Sequence, residues 1–180
     1  MPTVLAADDD ELSQFCRALL VDLLQHLNAV EARIDAADIK VKAFMSSSTL
    51  CKKIGAIDGV GPLTATAMVA AIGDASEFKN GRHLAAWLGL VPRQHSSGGK
   101  SRLYGISKRG DTYLRTLLIH GPRSVLRWAA TKSDVQSKWL RELIERRGYS
   151  RAAVAMANKN ARVIQALLSS DRHYERPAMA

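Results

Sequence analysis

A mainly α-helical fold is what this sequence predicts, and three observations lead to it. Apolar residues recur in alternating steps of four and three from Leu12 to Phe44, the chain beyond residue 50 falls into further stretches of helical spacing, and glycine and proline turns separate those stretches. The 180 residues, 47% of them hydrophobic, suffice for one compact domain with an appendage. At this length folding buries roughly 70% of the chain's surface, so disorder is not the default.

Three segments are expected. The first, residues 1–48, is a long helix whose seam runs through Leu12, Cys16, Leu19, Leu23, Leu27, Val30, Ile34, Ala37, Val41 and Phe44. A stripe this narrow on a helix this long reads as a coiled-coil surface, and the extra four-residue step between Leu23 and Leu27 is a stutter in it. Asp8 to Glu11 suit the positive end of its dipole. Ser46-Ser47-Ser48 then breaks the pattern and offers N-caps. The second segment, residues 49–170, is a compact helical domain. Its elements are a helix through Leu50 and Ile54, the turn Asp58-Gly59-Val60-Gly61-Pro62, a helix to Gly73, a helix from about Asn80 to Leu90, and a loop or hairpin over Arg93 to Gly110. A long helix from Asp111 kinked at Gly121-Pro122 follows, then helices near Asp134 to Arg147 and Arg151 to Ser169. Residues 171–180 form a polar tail. Trp87, Trp128 and Trp139 are assigned to the core.

The charge narrows the function. There are 26 Lys+Arg against 17 Asp+Glu, a formal +9, and the excess is uneven: residues 1–50 carry 4 against 8, residues 51–180 carry 22 against 9. Arg93, Lys100, Arg102, Lys108, Arg109, Arg115, Arg123 and Arg127 face only Asp111 in their stretch. Such a field meets polyanions, of which nucleic acid is the commonest. Absence of a run of about 18 apolar residues disfavours a membrane span, and the acidic start is no signal peptide. Cys16 and Cys51, 35 positions apart, make neither a zinc site nor a disulfide framework. A reduced, cytoplasmic protein is expected.

Two motifs carry chemistry. Gly59-Val60-Gly61 resembles the turn of a helix-hairpin-helix, where glycines let the backbone approach a phosphate and the next helix offers free N–H groups. No Lys or Arg follows Gly61 in that helix's first turn, so any phosphate would rest on the main chain; the plainer alternative is a tight link between packed helices. The segment Arg93-Gln94-His95-Ser96-Ser97-Gly98-Gly99-Lys100-Ser101-Arg102 sets serines among cations. A serine hydroxyl attacks a phosphodiester if its proton is taken and if guanidinium and ammonium groups meet the charge of the phosphorane. From local sequence alone, a flexible phosphate-binding loop without catalysis is the simpler reading. On a helical wheel with Arg115 at the origin, Arg123 falls near 80°, Arg127 near 120° and His120 near 140°, an arc that suits a nucleic-acid-facing helix. Tyr104 and Tyr113 are alternative nucleophiles, read first as packing residues.

The runs Ile57 to Ala65, Leu84 to Gln94, Ser96 to Lys100 and Gly105 to Asp111, in this order and spacing, closely resemble the C-terminal domain of insertion-sequence 110/116/902 transposases over about residues 50 to 170. The resemblance implies a nucleophilic serine in the Ser-Gly segment, which falls on Ser97, with Ser96 the second register. It also implies a preceding coiled coil, oligomers acting on DNA and a structured guide RNA. Full-length members begin with a RuvC-like domain whose acidic residues bind a divalent metal such as Mg. Asp8, Asp9, Asp10 and Glu11 are consecutive, whereas a metal site gathers carboxylates from separate elements. No cofactor or metal is therefore expected in this chain, which reads as the distal part of a transposase: a fragment, a separate subunit or a decayed copy, unable to act alone. The alternative function is a non-catalytic nucleic-acid-binding remnant.

Overall fold

The computed structural model describes residues 13–97 and 100–175, without the side chains of 96, 97, 100 and 101. It is mainly helical. The chain forms two units, one up to Ala43 and one from Phe44 onward. From Gln14 onward the first unit is helical: α1 runs over Gln14–Ser47, 34 residues, about 51 Å at the usual rise. None of its side chains is buried, and Leu19, Leu23, Leu27 and Ile34 of the apolar stripe stand exposed, Leu23 by 61%.

The second unit contains α2 (Thr49–Gly55), α3 (Pro62–Ile72), a 3-10 turn (Ala75–Glu77), α4 (Gly81–Trp87), strands β1 (Pro92–Ser97) and β2 (Lys100–Ile106), α5 (Thr112–Trp128), α6 (Val135–Arg147) and α7 (Tyr149–Leu168). Local chemistry sets most of the starts. Ser48 accepts from the Cys51 N–H at 3.3 Å, Asn80 from His83 at 3.0 Å and Asp111 from Leu114 at 2.9 Å, each satisfying an orphan donor of a first turn. Asp134 caps α6 through both the N–H and the hydroxyl of Ser137. Those bonds, the hydroxyl's first, hold its carboxyl below the usual range. The cap's contribution is therefore complete above the ordinary carboxylate pKa and is lost as the pH falls through the depressed value.

Helix α7 organises this unit and packs against α2, α4, α5 and α6. Its inner face is rich in alanine, Ala152, Ala153, Ala157 and Ala161, with Met156 and Ile164, so neighbouring helices come close without steric cost. One apolar cluster joins Cys51, Ile54, Met68, Leu84, Leu88 and Leu118 to Ala161 and Ile164. A second joins Leu126, Ala129 and Leu140 to Ala152 and Met156. Amides of α7 also reach out to loops: Asn160 donates to the Asp58 carbonyl at 2.9 Å, Gln165 to Phe78 at 3.1 Å and Asn158 to Leu90 at 3.2 Å.

Two tryptophans depart from the expected core placement, Trp128 being 59% and Trp87 39% exposed. Trp128 ends the solvent face of α5, next to Arg127. Trp87 meets Phe78 edge to face at 5.5 Å on the rim of the core. Helix α4 stops before the expected Leu90, because Gly89 takes φ +71°, outside the helical region.

Gly121 lies inside α5, where a Cβ would come within 1.7 Å of the Gly59 carbonyl oxygen, so the glycine turn and α5 touch backbone to backbone. Gly121→Ala should therefore destabilise the unit by about 3 kcal/mol or prevent its folding. Gly61 has open space, φ −84° and ψ 177°, and caps α3 without a side-chain bond. Gly61→Ser should raise stability by about 0.3 kcal/mol through a new N-cap. Thermal unfolding of the two variants checks both signs.

Candidate nucleic-acid interface

The basic segment is an antiparallel hairpin. Gln94 pairs with Leu103, His95 with Arg102, Ser96 with Ser101 and Ser97 with Lys100, and an irregularity lies between Pro92 and Gln94. Residues directly opposite share a face and successive residues alternate. By this register positions 95, 97, 100, 102 and 104 belong to one face, while 94, 96, 101 and 103 belong to the other. Gly98 and Gly99 lie outside the described residues, as do the side chains of Ser96, Ser97 and Lys100. Across the first face the His95 and Tyr104 rings meet edge to face at 5.4 Å. Arg93, Arg102, Leu103 and Tyr104 are exposed, so the ribbon stands in solvent rather than in a cleft.

Its root is firmly tied. Ser107 N–H donates to the Val91 carbonyl at 2.8 Å and Lys108 N–H to Gly89 at 3.2 Å, while Asn158 holds Leu90 from α7. The chain entering the ribbon and the chain leaving it touch backbone to backbone: a Cβ on Gly89 would come within 2.0 Å of the Arg109 carbonyl oxygen, and one on Gly110 within 1.9 Å of that of Trp87.

Arg115 completes the root, and here the structure departs from expectation. Its side chain is only 7% exposed; Nη1 donates to the carbonyls of Leu88 at 3.3 Å and Gly110 at 3.4 Å, and Nη2 to the Thr112 hydroxyl at 3.1 Å. The donors expected to meet a phosphate are spent inside the protein. The sequence did hold a signal for this. On the wheel, Pro122, Leu126 and Ile119 fall within about 40° of Arg115, which places it amid the apolar arc. His120, Arg123 and Arg127 are exposed and share the opposite side of α5. Lys108, with φ +55°, and Arg109 are exposed on the chain leaving the ribbon.

The glycine turn joins α2 to α3 and is held by Asn160. Val60 does not fit the expected phosphate contact either: its side chain is buried, and its N–H donates to the Ile57 carbonyl at 3.0 Å. Gly59 is taken up by Gly121 of α5. Gly61 alone of the three is exposed, next to the Leu63 and Thr64 N–H groups, which have no acceptor within the helix.

Among the described residues no three His, Cys, Asp or Glu side chains gather as a metal site requires. Asp8, Asp9, Asp10 and Glu11 lie outside the described residues. No described helix is long and apolar enough to cross a membrane.

A helical domain presenting a cationic ribbon is a class of surface suited to polyanions. Its relatives make the class specific. The family model described as "Transposase IS116/IS110/IS902 family" matches residues 51–142, which takes in the glycine turn, the hairpin and α5. The chain belongs to that transposase family. A probable family 20 transposase of Pseudomonas aeruginosa is 48% identical over 174 residues, covering 97% of this chain and 52% of the relative. The transposase for insertion sequence element IS1111A of Coxiella burnetii is 45% identical over 174 residues, covering 97% of this chain and 48% of the relative. The chain thus spans about half the length of these curated relatives.

Arg115→Met keeps the volume of the side chain but abandons two carbonyls, and should cost about 2 kcal/mol of stability. Arg123→Ala and Arg127→Ala, both exposed, should each stay within about 0.5 kcal/mol of the parent in the same chemical denaturation.

Proposed function

We propose that this chain is the serine-bearing, DNA-binding part of a transposase that moves an insertion sequence by strand cleavage and transfer through a phosphoserine intermediate. The pleat register carries the reading. Position 97 shares its face with His95, Lys100, Arg102 and Tyr104, whereas position 96 shares the other face with Gln94 and Leu103. The Ser97 hydroxyl oxygen attacks the phosphorus as its proton passes to a base, for which His95 is the group on that face. One phosphorus–oxygen bond of the strand breaks, the leaving oxygen takes a proton from the protonated base or from water and departs as a hydroxyl, and the other end stays esterified to the serine. Lys100 and Arg102 offset the charge of the phosphorane. Arg93, Lys108, Arg109, Arg123 and Arg127 contribute contacts to the sugar–phosphate backbone, and Gly61 offers main-chain N–H groups to the same polyanion. An acidic metal-binding domain and a structured RNA are the further partners.

In a complex restored with the acidic domain, guide RNA and suicide DNA, a covalent protein–DNA species should survive denaturation. Ser97→Ala should abolish it, Ser96→Ala should only reduce it, and Arg102→Ala should slow it by about 10²-fold. An adduct that persists in Ser97→Ala and vanishes in Ser96→Ala would reverse the register; DNA binding with no adduct in the parent protein would leave a binding role alone.

The exposed stripe of α1 is assigned to a second copy of the chain, because an apolar seam left uncovered along a helix about 51 Å long is costly in water. Light scattering should find a dimer or larger species, and Leu19→Asp with Leu23→Asp should convert it to monomer. A monomeric parent at tens of micromolar would refute the pairing.

A further inference from the structure

Away from the ribbon, the starts of α4 and α6, the last turns of α7 and residues 172–175 enclose a groove of about 1130 Å³. Its floor is apolar, built on Trp139, Val163 and Leu167, and its lining carries Arg82, Lys159, Arg162 and Arg172 against the single acid Glu175. All four cations are exposed, and none is held in an ion pair among the described residues. Lys159 Nζ lies 4.8 Å from the centroid of the Trp139 ring.

We infer that this groove holds a single strand of nucleic acid, with bases against Trp139 and the apolar floor and phosphates against Arg82, Lys159, Arg162 and Arg172. The pairing of surfaces selects this occupant. A duplex presents phosphate and sugar outward and leaves an apolar floor uncovered, whereas an unpaired strand offers base faces and phosphates side by side. An indole beside a track of cations is the platform on which such strands stack. The assignment is independent of the role of Ser97, since the groove uses no residue of the hairpin.

A protein carrying Trp87→Phe and Trp128→Phe, both at exposed positions, leaves Trp139 as the sole tryptophan reporter. Oligothymidylate or oligouridylate of about 20 nucleotides should quench its fluorescence to saturation at about 100 mM salt, and a duplex of equal length should not. Arg82→Ala with Arg162→Ala removes two phosphate contacts and should weaken the binding about 20-fold, with thermal unfolding unchanged. Quenching should persist in Arg93→Ala with Arg102→Ala, which separates this groove from the ribbon. Absence of quenching by either oligonucleotide, equal quenching by duplex, or unchanged affinity after loss of Arg82 and Arg162 would overturn the inference. Quenching by a glutamate-rich amphipathic peptide but not by oligonucleotides would replace the strand with a protein partner.

Discussion

Side-chain amides on one helix hold the compact unit together. Asn158, Asn160 and Gln165 project from α7 to the carbonyls of Leu90, Asp58 and Phe78, which lie in three different loops. Each bond contributes only about 1 kcal/mol net. Their importance is positional, because the loops they reach are the ribbon root, the glycine turn and the link into α4. Without those donors, three carbonyls beside an apolar core would have to find other partners. The alanine face of α7 makes this reach possible, since short side chains bring the loops' backbones within hydrogen-bonding range.

The ribbon depends on the same arrangement. A two-stranded hairpin is marginal in water by itself. Here its order comes from below: Arg115 and Asn158 hold the carbonyls at its base, and Gly89 and Gly110 let the entering and leaving chains press together. A stiff root under a solvent-exposed ribbon keeps the outer residues accessible while fixing their direction. The buried guanidinium thus serves the basic segment indirectly, by shaping it rather than by lending it charge.

Local signals were legible in the sequence. Ser48, Asn80, Asp111 and Asp134 are side-chain caps that fix helix starts within a few residues, and the apolar periodicity from Leu12 to Phe44 marks the long helix α1, Gln14–Ser47. The Ser-Gly segment was readable as a loop or hairpin because its glycines and serines come without helical periodicity, and the structure selects the hairpin. Which serine joins which cations was not readable while the segment stood as a loop or a hairpin, because faces are defined only once the pairing of Ser97 with Lys100 is known. Arg115 was misread because charge was taken to point outward, although its neighbours on the wheel are apolar. The α7 amides were invisible for a different reason: an asparagine within a helix carries no local sign of a partner about a hundred residues away.

That distance governs how the unit comes into being. Asn160 and Asp58 are 102 residues apart, and Gln165 and Phe78 are 87 apart. The ribosome delivers the glycine turn, the ribbon and α5 well before the helix that closes them. Until α7 has emerged, Ile54, Leu84 and Leu118 lack the alanine face they pack against, and the nascent chain carries that apolar surface uncovered. Folding of this unit therefore waits for α7, and a chain cut a few turns short of Leu168 lacks part of the face that closes the core.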